Sequence, residues 1–285
     1  MAGRGSRNRF FHILLQELKR SPLYLILLAV MAIMLLPFFW TVTTSFKTPQ
    51  EAQSYPPTWI PKQLRWQNYI EAWNAAPFGR YFLNSVFVAT ATAIGGVVTS
   101  VLAAYAFAKM DFIGKNVLFY LLVGTMMIPG QMLLVPNYLT IVKLRWYDTY
   151  QALIVPWVAN VFGIFLLRQF FRTIPDELWD SAQIDGCSRF RFLWQFVVPL
   201  SKPALVTLFL FRFIGSWNAF LWVLIMTSRE EMRTLPVGLY YFIGEAGTDY
   251  HLLTAAATFA MMPIIFLFLV AQRQFIQGVA RTGLK

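Results

Sequence analysis

The stretch DELWDSAQIDGCSRFRFLWQFVVPLSKPAL, from Asp176 to Leu205, concentrates charge in a chain that is otherwise apolar. It holds four acidic and three basic residues, whereas 58% of the whole chain is hydrophobic and only 13% is charged. Acidic residues are common in the first turn of a helix, and a Gly commonly follows its last turn. Ser188 is a suitable N-cap for a second helix. We therefore predict helix, turn and helix, with Asp185 and Gly186 at the corner and Pro199 ending the pattern.

This corner combines an apolar centre with a charged rim. The apolar side chains are Leu178, Ala182, Phe190, Phe192 and Leu193, and the rim is formed by Asp180, Asp185, Arg189 and Arg191. An exposed corner of this kind suits docking into a groove on another protein. A solvated loop whose amphipathic helix rests on lipid explains the same pattern, so both interpretations stay open at this point.

The rest of the chain has the composition of an integral membrane protein. A soluble domain has about a quarter of its residues charged, and aromatic residues reach 17% here. A membrane-spanning helix needs about 20 mostly apolar residues, and the sequence contains six such runs. They are residues 22–44, 82–108, 116–138, 150–171, 203–227 and 252–272. The first run is too long for the core of a cleavable signal peptide and is retained as a membrane helix.

The basic residues predict the orientation of these spans. Fifteen lysines and arginines lie on the side that holds both termini and the 176–205 stretch, against eight on the other side. Because positively charged loops stay in the cytoplasm, both termini and the charged stretch are predicted to be cytoplasmic. Orientation and contact with anionic membrane lipid then explain the net charge of +11, and nucleic acid is not an expected partner.

The sequence carries no pattern typical of a catalytic or metal centre. Cys187 is the single cysteine, and His12 and His251 lie at opposite ends of the chain. No phosphate-binding loop, serine-hydrolase elbow or zinc-protease motif occurs. We expect no enzyme activity, no metal and no cofactor. All thirteen acids fall in loops or at helix ends, which disfavours a transporter driven by protons or sodium.

The fifth predicted span contains the candidate substrate contacts. In GSWNAFLW, Asn218 lies at helical spacing from Gly215, Leu221 and Trp222, and this face offers an amide, a gap and an aromatic ring, which suit a sugar. Trp217 is a further candidate contact. An interhelical hydrogen bond from Asn218 and an interfacial Trp explain the same residues. Arg212 lies about 13 Å into the span and is either a contact for an anionic substrate or a structural residue that pairs with a partner chain or extends toward the membrane surface. Its position about 120° around the helix from Asn218 favours the structural interpretation.

The charged stretch resembles the EAA motif found in the permeases of ATP-binding-cassette (ABC) importers. In DSAQIDGCSRFRFLWQFVVPLSKPA, residues 180–182 stand at the E-A-A positions, Asp185 and Gly186 at the D-G positions, and Cys187 where Ala is usual. The three substitutions keep charge or small size. The resemblance implies that an ATPase subunit is contacted by Asp180, Ala182, Asp185, Gly186, Arg189 and Phe190.

Four further stretches are similar to the MalG-type carbohydrate branch of these permeases. They are NYIEAWNAAPFGRYFLNSVFVA (68–89), GSWNAFLW (215–222), TLPVGLYYF (234–242) and QRQFIQGVARTGLK (272–285). The resemblance implies an all-α, six-helix membrane protein of the type I ABC importer permease fold in the bacterial inner membrane. It also implies a MalF-like second permease, two ATPase subunits, an extracytoplasmic substrate-binding protein and a sugar as substrate.

The loop YYFIGEAGTDY resembles the family's segment that enters the cleft of the binding protein. The residues implied in that contact are Tyr240, Tyr241, Gly244, Glu245 and Gly247. Two glycines permit a tight reversal of the chain, and the tyrosines and the carboxylate can meet sugar hydroxyls. A plain solvated loop is the competing interpretation.

The predicted organisation therefore has four parts. They are a cytoplasmic N-terminal segment (1–21), a first membrane helix with its extracytoplasmic loop (22–81), a permease core (82–272) and a cytoplasmic tail (273–285). The core includes a coupling segment, residues 173–202. The predicted function is to form half of the pathway of an ABC importer for a di- or oligosaccharide. Glycerol phosphate import by the same architecture and a secondary transporter are the alternatives.

Overall fold

A computed structural model describes residues 4–244 and 247–283 of the chain, with side chains over residues 22–244 and 247–272. Glu245 and the side chains of the two predicted terminal segments, 1–21 and 273–285, lie outside the described residues. The chain forms two compact units, residues 1–72 with 246–258 and residues 73–245 with 259–285. The domain boundaries given above stay predictions.

Helices make up almost all of the regular structure, as predicted. They are α1 (Arg4–Thr44), α2 (Pro49–Ala52), α3 (Gln67–Ala75), α4 (Phe78–Lys109), α5 (Lys115–Gly124), α6 (Leu134–Lys143), α7 (Tyr150–Ile154), α8 (Val161–Phe171), α9 (Glu177–Ile184), α10 (Arg189–Phe192), α11 (Val198–Leu200), α12 (Lys202–Trp217), α13 (Leu221–Met226), α14 (Leu235–Gly238) and α15 (Tyr250–Gly283). Two short strands, β1 (Ile243–Gly244) and β2 (Gly247–Thr248), also lie within the described ranges.

Polar contacts in the first unit order the loop that follows α1. The Lys47 side chain is buried; its Nζ donates to the carbonyl of Thr58 at 2.6 Å and lies 4.0 Å from the ring centre of Trp40. Asn68 of α3 donates to the carbonyls of Ser45 and Lys47, at 2.8 Å each. Hydrogen bonds therefore fix part of the loop that is predicted to follow the first membrane helix.

The second unit is built around α4, which packs against α8 and α12. Small residues let these helices approach closely. A Cβ added to Gly163 of α8 would lie only 2.5 Å from Ser100 Oγ on α4 and 3.1 Å from a methyl group of Leu208 on α12. The coupling segment closes one end of this core, where its buried residues are Ile174, Ala182, Phe192, Leu193 and Val197.

Four helical stretches in the described part of the chain are long and apolar enough to cross a membrane. They are Pro22–Thr44, Phe78–Lys109, Tyr150–Phe171 and Tyr250–Gln272. Two bent helix pairs bring the number to six if each pair is one span: Lys115–Met127 with Gly130–Lys143, and Arg189–Leu200 with Lys202–Trp217. The predicted count of six is therefore compatible with the structure.

Two of the predicted spans are not continuous, straight helices in the structure. The span predicted over 116–138 turns by 90° at Ile128, whose φ of −85° and ψ of 116° are extended. A residue before proline is driven out of the helical region by the proline ring, and Pro129 follows here. The span predicted over 203–227 is also interrupted, because α12 ends at Trp217 and helical structure resumes only at Leu221.

The coupling segment contains the predicted helix, turn and helix. Gly186 has a φ of +72°, a backbone conformation that Gly adopts without strain. Its N–H donates to the carbonyl of Gln183 at 3.0 Å, and the N–H of Cys187 donates to the carbonyl of Ala182 at 2.9 Å. These two bonds form the Schellman motif that commonly ends a helix.

Beyond the turn, the second helix of the coupling segment is longer than predicted. Ser188 caps α10 as expected, because its Oγ accepts a hydrogen bond from the N–H of Arg191 at 3.3 Å. Pro199 does not end the helical conformation: a π-helical turn, Leu193–Val197, leads into α11, which includes Pro199. The chain bends by 82° only after Leu200.

Candidate functional site

A cavity of about 500 Å³ lies inside the second unit, beside the point where α12 ends. Three of its walls are interruptions in helices: the turn Gly130–Leu133 before α6, the turn Val155–Trp157 before α8, and the gap between α12 and α13; the continuous helix α4 forms another wall. Polar and aromatic side chains line it, among them Thr92, Gln131, Asn137, Trp157, Arg212, Ser216 and Trp222. Broken helices of this kind surround substrate sites in membrane transporters.

Arg212 brings an unpaired positive charge to this cavity. One Nη donates to the carbonyl of Trp157, while Nε is buried without a hydrogen-bond partner. Gly96 of α4 leaves room for the guanidinium, since a Cβ there would lie 3.0 Å from Nε. No ion pair joins Arg212 to any carboxylate of the described residues. A positive charge without a counter-ion is costly inside a membrane helix, and an anion or an oxygen-rich ligand in the cavity would stabilise this partly exposed guanidinium.

Thr92 is a second polar group in the cavity without a partner. Its Oγ1 is buried and makes no hydrogen bond within the described structure. Thr92, Gln131, Asn137 and Ser216 are cavity residues that the sequence alone does not indicate. A single Thr or Asn in an apolar helix gives little local signal, and only the folded chain shows that these groups face one space with Arg212. Donors and acceptors around an aromatic wall can bind a polyhydroxyl or acidic ligand.

Three of the five predicted substrate contacts line the cavity, and two do not. Arg212, Gly215 and Trp222 face it. Trp217 is buried elsewhere and donates from Nε1 to the carbonyl of Ala260 at 3.1 Å. Asn218 is exposed and ends α12, so the helical face that the prediction drew through Asn218 and Trp222 does not exist.

The residues predicted to contact an ATPase lie together at the corner of the coupling segment. Asp180, Asp185, Gly186, Arg189 and Phe190 are exposed there, and Phe190 keeps 67% of its surface accessible. Ala182 is instead buried, and it packs the corner against the ends of α4, α8 and α12. Ile184 was not predicted, although 88% of its surface is exposed at the same corner.

A second feature of the corner is that its orientation is fixed by contacts with α4. Arg189 donates from Nη1 to the carbonyl of Lys109 at 2.9 Å, and its guanidinium stacks 4.4 Å from the ring centre of Trp179. Lys109 in turn donates from Nζ to the carbonyl of Ile174 and to Asp176, at 2.6 Å each. These contacts tie the corner to α4, which also lines the cavity with Thr92 and Val88.

The predicted binding-protein loop is partly described. Tyr240 and Tyr241 lie in a turn, Leu239–Phe242, and both are exposed. Gly247 has a φ of +131°, which only Gly adopts readily. Gly244 is in β1 and has an ordinary backbone conformation, and Glu245 lies outside the described residues.

An ion pair, called the clasp below, joins Asp148 in the loop before α7 to Arg229 in the loop after α13. Asp148 accepts from Arg229 Nε at 2.6 Å and from the backbone N–H of Ser228 at 3.0 Å. Burial raises the pKa of Asp148, but the hydrogen bonds from Arg229 and Ser228 outweigh burial and hold the pKa below its usual value. The carboxylate is therefore favoured in the folded chain.

Comparisons with known proteins agree with this geometry. The family described as binding-protein-dependent transport system inner membrane component matches residues 96–281. The sn-glycerol-3-phosphate transport system permease protein UgpE of Yersinia pestis is 34% identical over 264 residues, which cover 90% of this chain and 94% of that protein. The arabinooligosaccharides transport system permease protein AraQ of Bacillus subtilis is 33% identical over 226 residues, which cover 79% of this chain and 80% of that protein.

A solved structure has the same fold. A chain of a bacterial ABC transporter involved in the import of the acidic polysaccharide alginate superposes with a TM-score of 0.78 at 24% identity, covering 91% of this chain and 98% of that chain. Together these matches confirm the predicted importer permease, its inner-membrane location and its role as a transport subunit. They remove the secondary transporter from the alternatives. The cytoplasmic placement of the termini and the roles of individual residues stay predictions.

Proposed function

The chain belongs to the family of inner membrane components of binding-protein-dependent transport systems, and on that premise we propose that it forms half of the translocation pathway for a saccharide. A related, MalF-like permease supplies the other half, and two ATPase subunits supply the energy. An extracytoplasmic binding protein delivers the substrate. Similarity to the arabinooligosaccharides permease AraQ supports a saccharide as the substrate class.

The cavity at the end of α12 is the observation that carries this proposal. It combines unpartnered polar groups, Thr92 and Arg212, with the aromatic side chains of Trp157 and Trp222, whose ring centres are 5.3 Å apart. Sugar hydroxyls take directional hydrogen bonds, and the C–H faces of a sugar ring pack on aromatic rings.

The coupling segment supports the second half of the proposal, docking on an ATPase. Ile184 and Phe190 are large apolar residues that water surrounds in the isolated chain, and charged residues flank them. Covering these side chains with a partner would remove apolar surface from water, which favours association. The lipid-resting interpretation of this corner is the competing one.

Filling the cavity tests the pathway directly. Gly215 lines it, and a Cβ there meets nothing within 4 Å, so Gly215→Trp places an indole in the cavity without a clash at its first atom. We expect the complete transporter to assemble and hydrolyse ATP, while substrate uptake falls at least about tenfold. The matched control is Leu118→Trp, on an exposed face of α5. Wild-type uptake by Gly215→Trp would contradict the proposed pathway.

A substrate with an acidic group, such as glycerol phosphate, is the second candidate. Arg212 favours it, because the cavity otherwise holds a guanidinium without a carboxylate partner. UgpE, a relative of this chain, is an sn-glycerol-3-phosphate permease. Guanidinium and phosphate form two parallel, charge-assisted hydrogen bonds, which are about twice as strong as neutral ones.

Replacing Arg212 distinguishes the two substrate classes. Hydrogen bonds to a charged group contribute about 1.5–3 kcal/mol, so Arg212→Leu should reduce uptake of an anionic substrate by about 10- to 100-fold. Uptake of a neutral saccharide should stay within about threefold of wild type, and Arg212→Lys should keep part of the anion uptake. The matched control is Arg145→Leu, an exposed arginine outside the cavity. An equal loss with both substrates would show that Arg212 is structural.

A further inference from the structure

A polar pocket of about 430 Å³ lies where α4 ends, α5 begins and α8 ends. Charged side chains dominate its lining: Lys109, Lys115, Arg168, Arg172, Asp111 and Asp176. It is separate from the cavity beside α12 and shares no residue with it. Four basic groups against two acidic ones give the pocket a net charge of +2.

The two acidic residues of the pocket are already paired with lysines. Asp176 accepts from Lys109 at 2.6 Å and Asp111 accepts from Lys115 at 3.2 Å, and both carboxylates are almost fully exposed to solvent. The excess charge therefore resides on the two arginines. Two like charges four residues apart on one helix repel each other.

Neither arginine has a carboxylate partner among the described residues. Arg168 donates from Nε to the carbonyl of Phe107 at 3.2 Å, and its guanidinium stacks 3.9 Å from the ring centre of Phe119. These contacts hold the guanidinium in place and leave its charge uncompensated. Arg172 is exposed at the end of α8. A phosphate group between the two would relieve their repulsion, and the planar guanidinium fork matches phosphate oxygens.

An open apolar groove lies on the same helix and begins one residue beyond the polar pocket in the sequence. It is lined by Val117, Tyr120, Leu121, Gly124, Thr125 and Ile128, and almost all of its surface is apolar. Residues 117–128 span about 16 Å at 1.5 Å per residue. That length equals about half of the roughly 30 Å hydrocarbon core of a bilayer, which is the depth of one leaflet.

A cationic pocket at the ends of membrane helices, followed by an apolar groove one leaflet deep, matches the two parts of a phospholipid. We propose that this surface binds one anionic phospholipid, with its phosphate on Arg168 and Arg172 beside Lys115 and an acyl chain along α5. Free phosphate would use the arginines but not the groove, so the groove selects the lipid. The assignment of this lipid to the cytoplasmic leaflet rests on the proposed role of the coupling segment, because Lys109 ties the pocket to Asp176.

Native mass spectrometry of the complete transporter tests the site. The complex is exchanged into phosphatidylglycerol or phosphatidylcholine, and the amount of bound lipid is measured as the lipid concentration is raised. The variant is Lys115→Gln with Arg172→Gln, and the matched control, Lys62→Gln with Lys143→Gln, removes two exposed charges elsewhere. We expect the wild type and the control to retain phosphatidylglycerol in preference to phosphatidylcholine. The variant should bind phosphatidylglycerol about 30-fold more weakly, as two lost surface charges predict.

Three results would overturn the proposal. They are equal phosphatidylglycerol retention by the variant and the control, equal retention of the neutral lipid by the wild type, and release of the lipid by millimolar inorganic phosphate, which would show a phosphate site fed from solution. If the variant does not assemble, Arg172→Lys provides a second test: it keeps the charge and should retain most of the binding, whereas Arg172→Gln alone should lose part of it. Lipid retention is measured without substrate, so its failure leaves the proposed transport function untouched.

Discussion

Replacing Gly186 with Val should uncouple ATP hydrolysis from transport. Gly186 has a φ of +72°, and a Cβ at this position meets nothing within 4 Å. The cost of a side chain is therefore set by the backbone conformation and not by a clash. A left-handed conformation costs an ordinary L-residue about 1–2 kcal/mol, and a β-branched residue lies at the upper end. A cost of about 2 kcal/mol lowers the population of the native corner by a factor of about 30.

The measurement is substrate uptake per ATP hydrolysed by the complete transporter in proteoliposomes. We expect Gly186→Val to insert and assemble, because residue 186 lies outside the candidate spans, but to lower uptake per ATP at least about tenfold. Gly186→Asn is the matched control, since Asn tolerates the left-handed conformation, and it should stay within about threefold of wild type. The reasoning is refuted if Val and Asn behave alike, whether both transport normally or both fail.

Two further predictions follow from particular contacts. Phe192 is 1% exposed and Phe190 is 67% exposed, so Phe192→Ala should destabilise the protein by about 3–5 kcal/mol, whereas Phe190→Ala should leave the melting temperature unchanged and weaken co-purification of the ATPase. If Phe190→Ala destabilised the protein and left co-purification of the ATPase unchanged, the docking surface would lie elsewhere. The pKa of Asp148 is lowered in the folded chain, so its clasp with Arg229 contributes stability above the unfolded pKa of about 4 and loses it as pH falls through the folded pKa. Melting temperatures measured downward from pH 7 should fall less for Asp148→Asn than for the wild type, and parallel curves would contradict the clasp.

The sequence predicts the number of apolar segments well because hydropathy depends only on composition within a window. It also locates the coupling segment, since Gly186 and Ser188 are local signals for a turn and a cap. Hydropathy carries no information on the direction of the helix axis, so it does not predict the 90° bend at Ile128. Pro129 was a usable signal for it, because the residue before a proline avoids the helical region.

The cavity shows why the substrate contacts were predicted only in part. Arg212 stands out in the sequence because a charge inside a span is costly. Thr92 does not stand out in the sequence. It lies 120 residues before Arg212 in the chain, and only folding brings the two residues to one cavity. The prediction for Asn218 depends on a continuous helix through residues 215–222. Because α12 ends at Trp217, Asn218 does not share a helical face with Trp222.

The subunit composition of the purified complex tests the central proposal most directly. The tagged chain is isolated in mild detergent and weighed by native mass spectrometry. We predict one copy of this chain with one different permease and two ATPase subunits, and a smaller share of ATPase-bound complex for Phe190→Ala. A lone chain, or an assembly of this chain alone that survives gentle isolation, would contradict the proposal that it forms half of an ATP-driven pathway.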